Sequence, residues 1–155
     1  MTRERNKAVP AVYLILRKGD KILLMRRQGS GYYDGWYSVP AGHVEAGELP
    51  LEGLVREIVE ELDIVIDPKD TKLVHIMYRT KSDETGDRAD LFFLSTKWSG
   101  ELRIMEPNKC DDIKWFPINA LPEKMMHHVK EAIQNIEKGI IYSELGVGYI
   151  QKLKH

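Results

Sequence analysis

Three glutamates stand close together in one short stretch of the chain. Glu57, Glu60 and Glu61 are spaced i, i+3 and i+4, which places their side chains on one face of an α-helix. Like charges at this spacing destabilise a helix by roughly a few tenths of a kcal/mol per pair, so a bound cation would explain the cluster. Carboxylate oxygens, without histidine or cysteine, favour magnesium or manganese over zinc.

The element that must position these carboxylates is a helix, predicted over residues 51–62. Its apolar residues recur at helical spacing and form one stripe that can dock on a core; they are Leu51, Leu54, Val55, Ile58 and Leu62. A run of glutamates is also typical of an ordinary solvated helix face. The trio alone leaves both interpretations open, and the surrounding sequence favours metal binding.

The glutamates belong to a longer pattern with fixed spacing. Gly42 is followed after five residues by Glu48, and after seven more by the run 56–64, which reads Arg-Glu-Ile-Val-Glu-Glu-Leu-Asp-Ile. This stretch resembles the Nudix box, G-x5-E-x7-R-E-U-x-E-E-x-G-U with U a bulky aliphatic residue. Only the last glycine is replaced, by Asp63. Because Asp tolerates the left-handed conformation of a helix C-cap, we expect the replacement to affect stability rather than chemistry.

By this resemblance, with the box at residues 42–64, the chain is identified as a MutT-like Nudix hydrolase. The resemblance implies cleavage of a phosphoanhydride in a nucleoside diphosphate linked to a further group X. The implied ligands of Mg²⁺ (or Mn²⁺) are Glu57, Glu60, Glu61 and the Ala41 carbonyl. Glu60 shares metals or activates water, and Arg56 orients a glutamate through a charge-assisted hydrogen bond. Gly42 and Glu48 have supporting roles.

Three residues outside the helix are candidates for substrate binding. Arg27 ends a predicted strand just before the glycine-rich loop 28–35. The resemblance implies that Arg27, more than Arg26, contacts phosphate, and a planar guanidinium suits phosphate oxygens. Glu106 is the candidate for an extra carboxylate that relatives supply from this region, as a metal ligand or a base; Asp111 and Asp112 compete for that role. Tyr78 is a candidate aromatic partner for a base, although a strand tyrosine is also typical of a half-buried core.

The remaining pattern predicts strands on both sides of the box helix and one late helix. Predicted strands cover residues 12–16, 22–25, 36–39, 64–66, 73–79, 89–96 and 113–117, and the late helix covers 123–138 with His127 and His128 on its solvated side. The polar loop 81–88 is either a specificity loop or a solvated turn. We expect an α/β (α+β) fold with a mixed central sheet, and the resemblance implies a Nudix α/β/α sandwich.

Composition limits the class of protein. With 155 residues, the chain is expected to form one domain, 1–155, whose tail 140–155 packs on the core or on a second subunit. The net charge of -1 argues against a nucleic-acid or membrane partner. A single cysteine, Cys110, fits a reducing cytoplasm and buried filler better than a nucleophile. A homodimer is an open alternative.

The group X is less constrained by the sequence. We expect (deoxy)nucleoside triphosphates as substrates, because the region before the box resembles MutT-like proteins. ADP-ribose, nucleotide sugars and dinucleoside polyphosphates are alternatives, although the proline that marks many ADP-ribose hydrolases is absent at positions 78–80. An alternative of another class is a non-catalytic nucleotide sensor, which the complete set of box glutamates disfavours.

Overall fold

The computed structural model of the chain describes residues 3–80 and 85–146. The described strands are β1 (Ala8–Lys18), β2 (Lys21–Arg27), β3 (Tyr37–Ser38), β4 (Ala41–His43), β5 (Thr71–Arg79), β6 (Asp87–Ser95), β7 (Cys110–Pro117) and β8 (Tyr142–Leu145). The α-helices are α1 (Pro50–Leu62) and α2 (His127–Glu137), and a short 3₁₀ helix spans Pro68–Asp70. None of the helices in these described ranges is long and apolar enough to cross a bilayer.

The strands form a mixed sheet in the order β3-β2-β1-β6-β5-β8. β1 runs parallel to β6 along nine residue pairs, from Ala8↔Asp87 to Leu16↔Ser95. On its other edge, β1 pairs with β4 near its start and with β2 only at its end. β2 therefore diverges from β1 and pairs with β7 instead. The predicted mixed sheet is confirmed.

Alternate residues of β1 face two separate layers, as a strand period of two requires. Tyr13 and Ile15 pack with buried residues of α2, whereas Leu14 and Leu16 pack with the apolar stripe of α1. Both faces of β1 are buried, so the strand reads as a continuous apolar run. One helix on each face makes an α/β/α sandwich, which confirms the predicted fold class.

Several predicted boundaries differ from the structure. Residues 64–66 are not a strand, since only one bridge joins Val65 to Ser99 while the isoleucines on either side are buried. α2 begins at His127 rather than at residue 123, with Met126 as its N-cap. Asp63 takes the left-handed conformation with a φ of 58°, and its N–H donates to the Val59 carbonyl, as expected of a residue in the place of the box glycine.

The end of the described chain packs on the core. β8 runs parallel to β5, and Leu145 is buried in the cluster beneath α2. The buried His75 fixes this segment through its ring nitrogens, which lie 2.7 Å from the Ile140 carbonyl and 2.8 Å from the Ser143 hydroxyl. Residues 81–84 of the polar loop and 147–155 of the tail lie outside the described residues.

Candidate active site

Strand β4 brings the box glycine against the box helix. A Cβ atom at Gly42 would overlap the Glu57 side chain, so only glycine lets this strand lie so close to α1. Similarly, a Cβ at Gly53 on α1 would approach the Glu48 carboxylate to 2.7 Å. These two close approaches hold the loop before α1 onto the helix and place Ala41 next to it.

Arg56 is the centre of an ion-pair network around this loop. Its guanidinium donates two hydrogen bonds to Glu48, at 2.7 and 3.0 Å, and one to Glu57 at 3.0 Å. It also reaches Glu60 at 3.3 Å and the His43 carbonyl at 3.3 Å. Bidentate pairs of this kind are strong and geometrically specific. The pairing lowers the pKa of Glu48 to about 2.

Two carboxylates of α1, Glu57 and Glu61, and the Glu106 carboxylate of a distant loop repel one another beside β4. Burial raises the pKa of Glu61 to about 8, with further increases from the charges of Glu57 and Glu106. Burial also raises the pKa of Glu57, against the opposing effect of Arg56. The Ala41 N–H donates to the Glu61 carboxylate. Like charges held in a partly buried place are typical of a site that binds a cation or works as an acid or base.

A cavity of about 660 Å³ opens beside these groups. Its walls come from all the described strands except β8, from Glu61 of α1, from the start of α2 and from the loops 28–36 and 106–109. Glu61, Glu106, Ala41 and Gly42 line one side. The size is that of a typical small-molecule site.

Arg27 lies on the wall of this cavity and is held by the glycine-rich loop. Its Nε donates to the Tyr32 carbonyl at 3.1 Å, and its guanidinium lies 5.7 Å from the centre of the Tyr32 ring. Asp34 closes the loop by accepting hydrogen bonds from Ser30 and from the Gly31 N–H, which lower the pKa of Asp34. Arg27 is therefore positioned before any substrate binds.

The segment that carries Glu106 packs against the same loop. Gly29 has a φ of +68°, and a Cβ there would overlap the Asn108 carbonyl. The Gln28 N–H donates to the Lys109 carbonyl at 2.9 Å, and the Lys109 ammonium lies 3.3 Å from Glu106. Two segments distant in sequence thus close one side of the cavity together.

The structure brings some of the predicted site residues to the cavity and leaves others away from it. Glu60 is exposed and faces Arg56, and Glu57 faces Gly42 and Arg56 rather than the open space. Tyr78 does not line the cavity; its hydroxyl bonds Asp87 at 2.8 Å and accepts a bond from Asn6 at 2.7 Å. Adjacent strand residues face opposite sides of a sheet, so Arg79 lines the cavity in its place.

Sequence reasoning missed a polar group at the far end of the cavity. Arg79 pairs with the fully buried Asp90, and the Tyr13 hydroxyl lies 3.3 Å from His128 Nε2. His128 was predicted to be solvated, but it lines the cavity because α2 starts there. The available signal was Asp90, a charged residue inside the predicted strand 89–96 and two positions after Arg88.

The carboxylates beside the cavity are the type of ligand that a hard divalent cation prefers. Glu57, Glu61 and Glu106 offer oxygen ligands, and a cation would relieve the repulsion that raises the pKa of Glu57 and Glu61. In the described part of the chain, no three His, Cys, Asp or Glu side chains already converge at metal-binding distances.

Known proteins resemble this chain in sequence over most of its length. The NUDIX domain model matches residues 6–136. An ADP-ribose pyrophosphatase of Methanocaldococcus jannaschii is 32% identical over 123 residues, covering 78% of this chain and 70% of that protein. The NAD-capped RNA hydrolase NudC of Pseudomonas putida is 28% identical over 73% of this chain, but the match spans only 38% of NudC.

Solved structures share the fold at lower sequence identity. A MutT Nudix hydrolase from Burkholderia pseudomallei superposes with a TM-score of 0.75 at 23% identity, covering 83% of this chain and 98% of that one. A MutT protein from Bacillus halodurans gives a TM-score of 0.71 at 22% identity, covering 91% and 92%. The family model and the sequence relatives, together with this shared fold, place the chain in the Nudix family as a hydrolase of phosphoanhydrides linked to nucleotides.

Proposed function

We propose that this Nudix hydrolase cleaves (deoxy)nucleoside triphosphates to the monophosphate and pyrophosphate. The observation that supports this choice is the charge of the cavity. Five cationic side chains line it, and three of them pair with carboxylates, namely Arg26 with Asp111, Arg79 with Asp90 and Lys109 with Glu106. Among the described residues this leaves Arg27 and Arg88 against the single carboxylate of Glu61. A triphosphate carries more negative charge than a diphosphate with a neutral X, so it gains more from this cationic excess.

In this proposal the box residues hold the cation. Glu57 and Glu61 would be its principal ligands, with the Ala41 carbonyl and Glu60 sharing it. When bound, Mg²⁺ (or Mn²⁺) neutralises phosphate charge and lowers the pKa of a bound water. Arg56 is a positioning residue, because its side chain contacts glutamates rather than the cavity.

The other groups act on the substrate itself. Arg27 contacts a phosphate from the cavity wall, where its guanidinium is already oriented by Tyr32. Glu106 serves as an additional ligand or as the general base, since it lies close enough to Glu61 to raise its pKa. Gly42 and Glu48 support the box loop, and Tyr78 receives no role. A cytoplasmic location and a homodimer remain predictions.

ADP-ribose is the second candidate substrate. The relative from Methanocaldococcus jannaschii, 32% identical over 123 residues, is named an ADP-ribose pyrophosphatase. The cavity of about 660 Å³ is in the size range of sites for ligands this large. The cationic excess favours the triphosphate, and the named relative favours ADP-ribose, so the two are compared directly.

The test is a magnesium-dependent hydrolysis panel with products separated by anion-exchange chromatography. It contains standard and oxidised (d)NTPs, ADP-ribose, NADH, a nucleotide sugar and a dinucleoside polyphosphate. Glu61→Gln is the blank, and Glu101→Gln, at an exposed loop position, is the matched control. Monophosphate and pyrophosphate from a triphosphate support the proposal. Preferential cleavage of ADP-ribose overturns the choice of substrate, and equal turnover by Glu61→Gln overturns the role of Glu61.

A further inference from the structure

The sheet face beneath α2 changes from apolar to charged where that helix begins. Under α2 the face is apolar, with Met77 of β5 and Phe92 of β6 buried in the core. Two residues further along each strand on the same side, β5 carries Arg79 and β6 carries Asp90 and then Arg88. All three are buried or half-buried, and both arginines line the cavity.

The two arginines are directly opposite each other in the antiparallel ladder. Arg79 of β5 pairs in register with Arg88 of β6, and directly opposed residues have Cβ atoms about 4.5–5.5 Å apart. Like charges in such a pair destabilise a sheet. Arg88 is only 9% exposed, so solvent does little to screen it. This arrangement needs negative charge to balance it.

One of the two arginines is already balanced. The fully buried Asp90 accepts hydrogen bonds from Arg79 Nε at 2.5 Å and from Nη2 at 3.3 Å. Arg88 instead donates to the Gly86 carbonyl at 2.8 Å and to the Thr85 carbonyl and hydroxyl at 3.1 Å. Among the residues that the structure describes, no carboxylate pairs with Arg88. Within the described ranges, Arg88 is therefore a buried guanidinium at the cavity whose hydrogen bonds go to neutral oxygen atoms.

A hydroxyl and an imidazole lie beside the other arginine, Arg79, in the same cavity. The Tyr13 hydroxyl lies 3.4 Å from Arg79 Nη2 and 3.3 Å from His128 Nε2. Tyr13 itself is fixed by stacking on Phe92, with ring centroids 4.4 Å apart. Two adjacent guanidinium groups, with a fixed hydroxyl beside one of them, suit an acceptor-rich anion better than an apolar group.

We propose that Arg79 and Arg88 form an anion subsite that binds an acidic, oxygen-rich part of group X, such as a terminal phosphate. The inference rests on the proposed function in that this cavity is where the substrate binds. It adds that the enzyme selects substrates by the negative charge of X. A substrate with an uncharged X would offer Arg88 no anion and would bind less tightly.

Calorimetry with inorganic pyrophosphate tests the subsite without turnover. The probe is titrated into the metal-free protein, wild type against Arg88→Met, Arg79→Lys and Arg17→Met. Arg17 is the matched control, since it pairs with Glu137 outside the cavity. We expect binding to weaken about tenfold or more in the first two variants, the loss typical of one charge-assisted hydrogen bond, and to be unchanged in the control. Thermal melting checks that each variant folds.

Steady-state kinetics distinguish a failure of the subsite proposal from a failure of the proposed function. For Arg88→Met and Arg79→Lys we expect the KM for a triphosphate to rise and that for ADP-ribose to stay. Equal rises for both substrates, or unchanged pyrophosphate binding in both variants, overturn the subsite even if hydrolysis is observed. Binding of pyrophosphate that depends on Arg88, in a protein without turnover of any nucleotide, upholds the subsite and overturns the proposed function.

Discussion

Gly42 shows how one missing side chain makes room for another. The Glu57 side chain occupies the volume that a Cβ at position 42 would need. The box glycine is therefore explained by the glutamate fifteen positions later in the chain. A residue with any side chain at position 42 must displace either β4 or the carboxylate.

Gly42→Ala is expected to damage both activity and stability. Overpacking of this kind costs about 1–3 kcal/mol, and misplacing a catalytic group by roughly 1 Å can cost about 100-fold in rate. Urea unfolding and steady-state kinetics measure the two effects. Shortening the partner in Gly42→Ala/Glu57→Asp should recover stability but not rate. Wild-type kinetics in Gly42→Ala would show that the close approach of Gly42 and Glu57 has no role in catalysis.

Glu61 combines burial with repulsion from two other carboxylates. We expect Glu61→Gln to lower the rate by roughly two orders of magnitude or more, because a ligand is lost where even supporting partners are worth about 10–100-fold. Burial raises the pKa of Glu61 to about 8, so glutamine resembles the protonated carboxyl of the metal-free protein in shape and charge, and the melting temperature should stay the same near neutral pH or rise at higher pH, where glutamine removes a repelling charge. A clear fall in melting temperature would mean that Glu61 has a structural role as well.

At the scale of elements, Arg56 joins the loop before α1 to the helix. Its guanidinium contacts Glu48 in the loop, the carbonyl of His43 in β4 and Glu57 on α1. These contacts explain why the box specifies an arginine beside its glutamates. They also make the stability of the loop depend on pH.

The pH dependence follows from the low pKa of Glu48, which Arg56 lowers to about 2. A depressed carboxyl pKa stabilises the fold above the ordinary value, about 4.3, and this contribution is lost as pH falls towards 2. The difference in unfolding free energy between wild type and Glu48→Gln should therefore be constant near neutral pH and shrink below about pH 4.3. Urea unfolding at several pH values measures it. A difference that grows on acidification would contradict the pairing.

The elements of the site were predictable to different degrees. The helix of the box and its carboxylates follow from spacing within one segment, since residues three and four apart share a helix face. Arg79, Arg88 and Tyr13 meet only because β5, β6 and β1 pair across long stretches of sequence. Strand period and register decide which side chain reaches a cavity, and the sequence of β5 alone does not show that Arg79 rather than Tyr78 does so.

At the scale of the whole molecule, the cavity wall is shared by segments from both halves of the chain. Cys110 lines this wall at the start of β7. Its thiol donates to the Asp112 carbonyl at 3.3 Å. Only 5% of the residue is exposed, and burial raises the pKa of the thiol. The reactivity of the thiol therefore measures whether the segments that form this wall stay packed together.

We expect Cys110 to react with iodoacetamide slowly at neutral pH and quickly in urea, because the thiolate is the reactive form. Labelling followed by intact mass spectrometry measures the rate. A triphosphate that fills the cavity should slow the reaction further, whereas a neutral sugar should not. Rapid labelling of the folded protein would contradict the burial of Cys110.

The placement of β1 also affects how quickly the protein reaches its native state. This first strand is central, and its parallel partner β6 comes much later in the chain, with Ala8 opposite Asp87. Pairing between distant segments must overcome a large loss of chain entropy before its contacts form, so such topologies fold slowly, on a timescale of about milliseconds to seconds. During synthesis the box helix emerges before β6 exists, so its apolar stripe has only part of its final packing surface until more than half of the chain has been made.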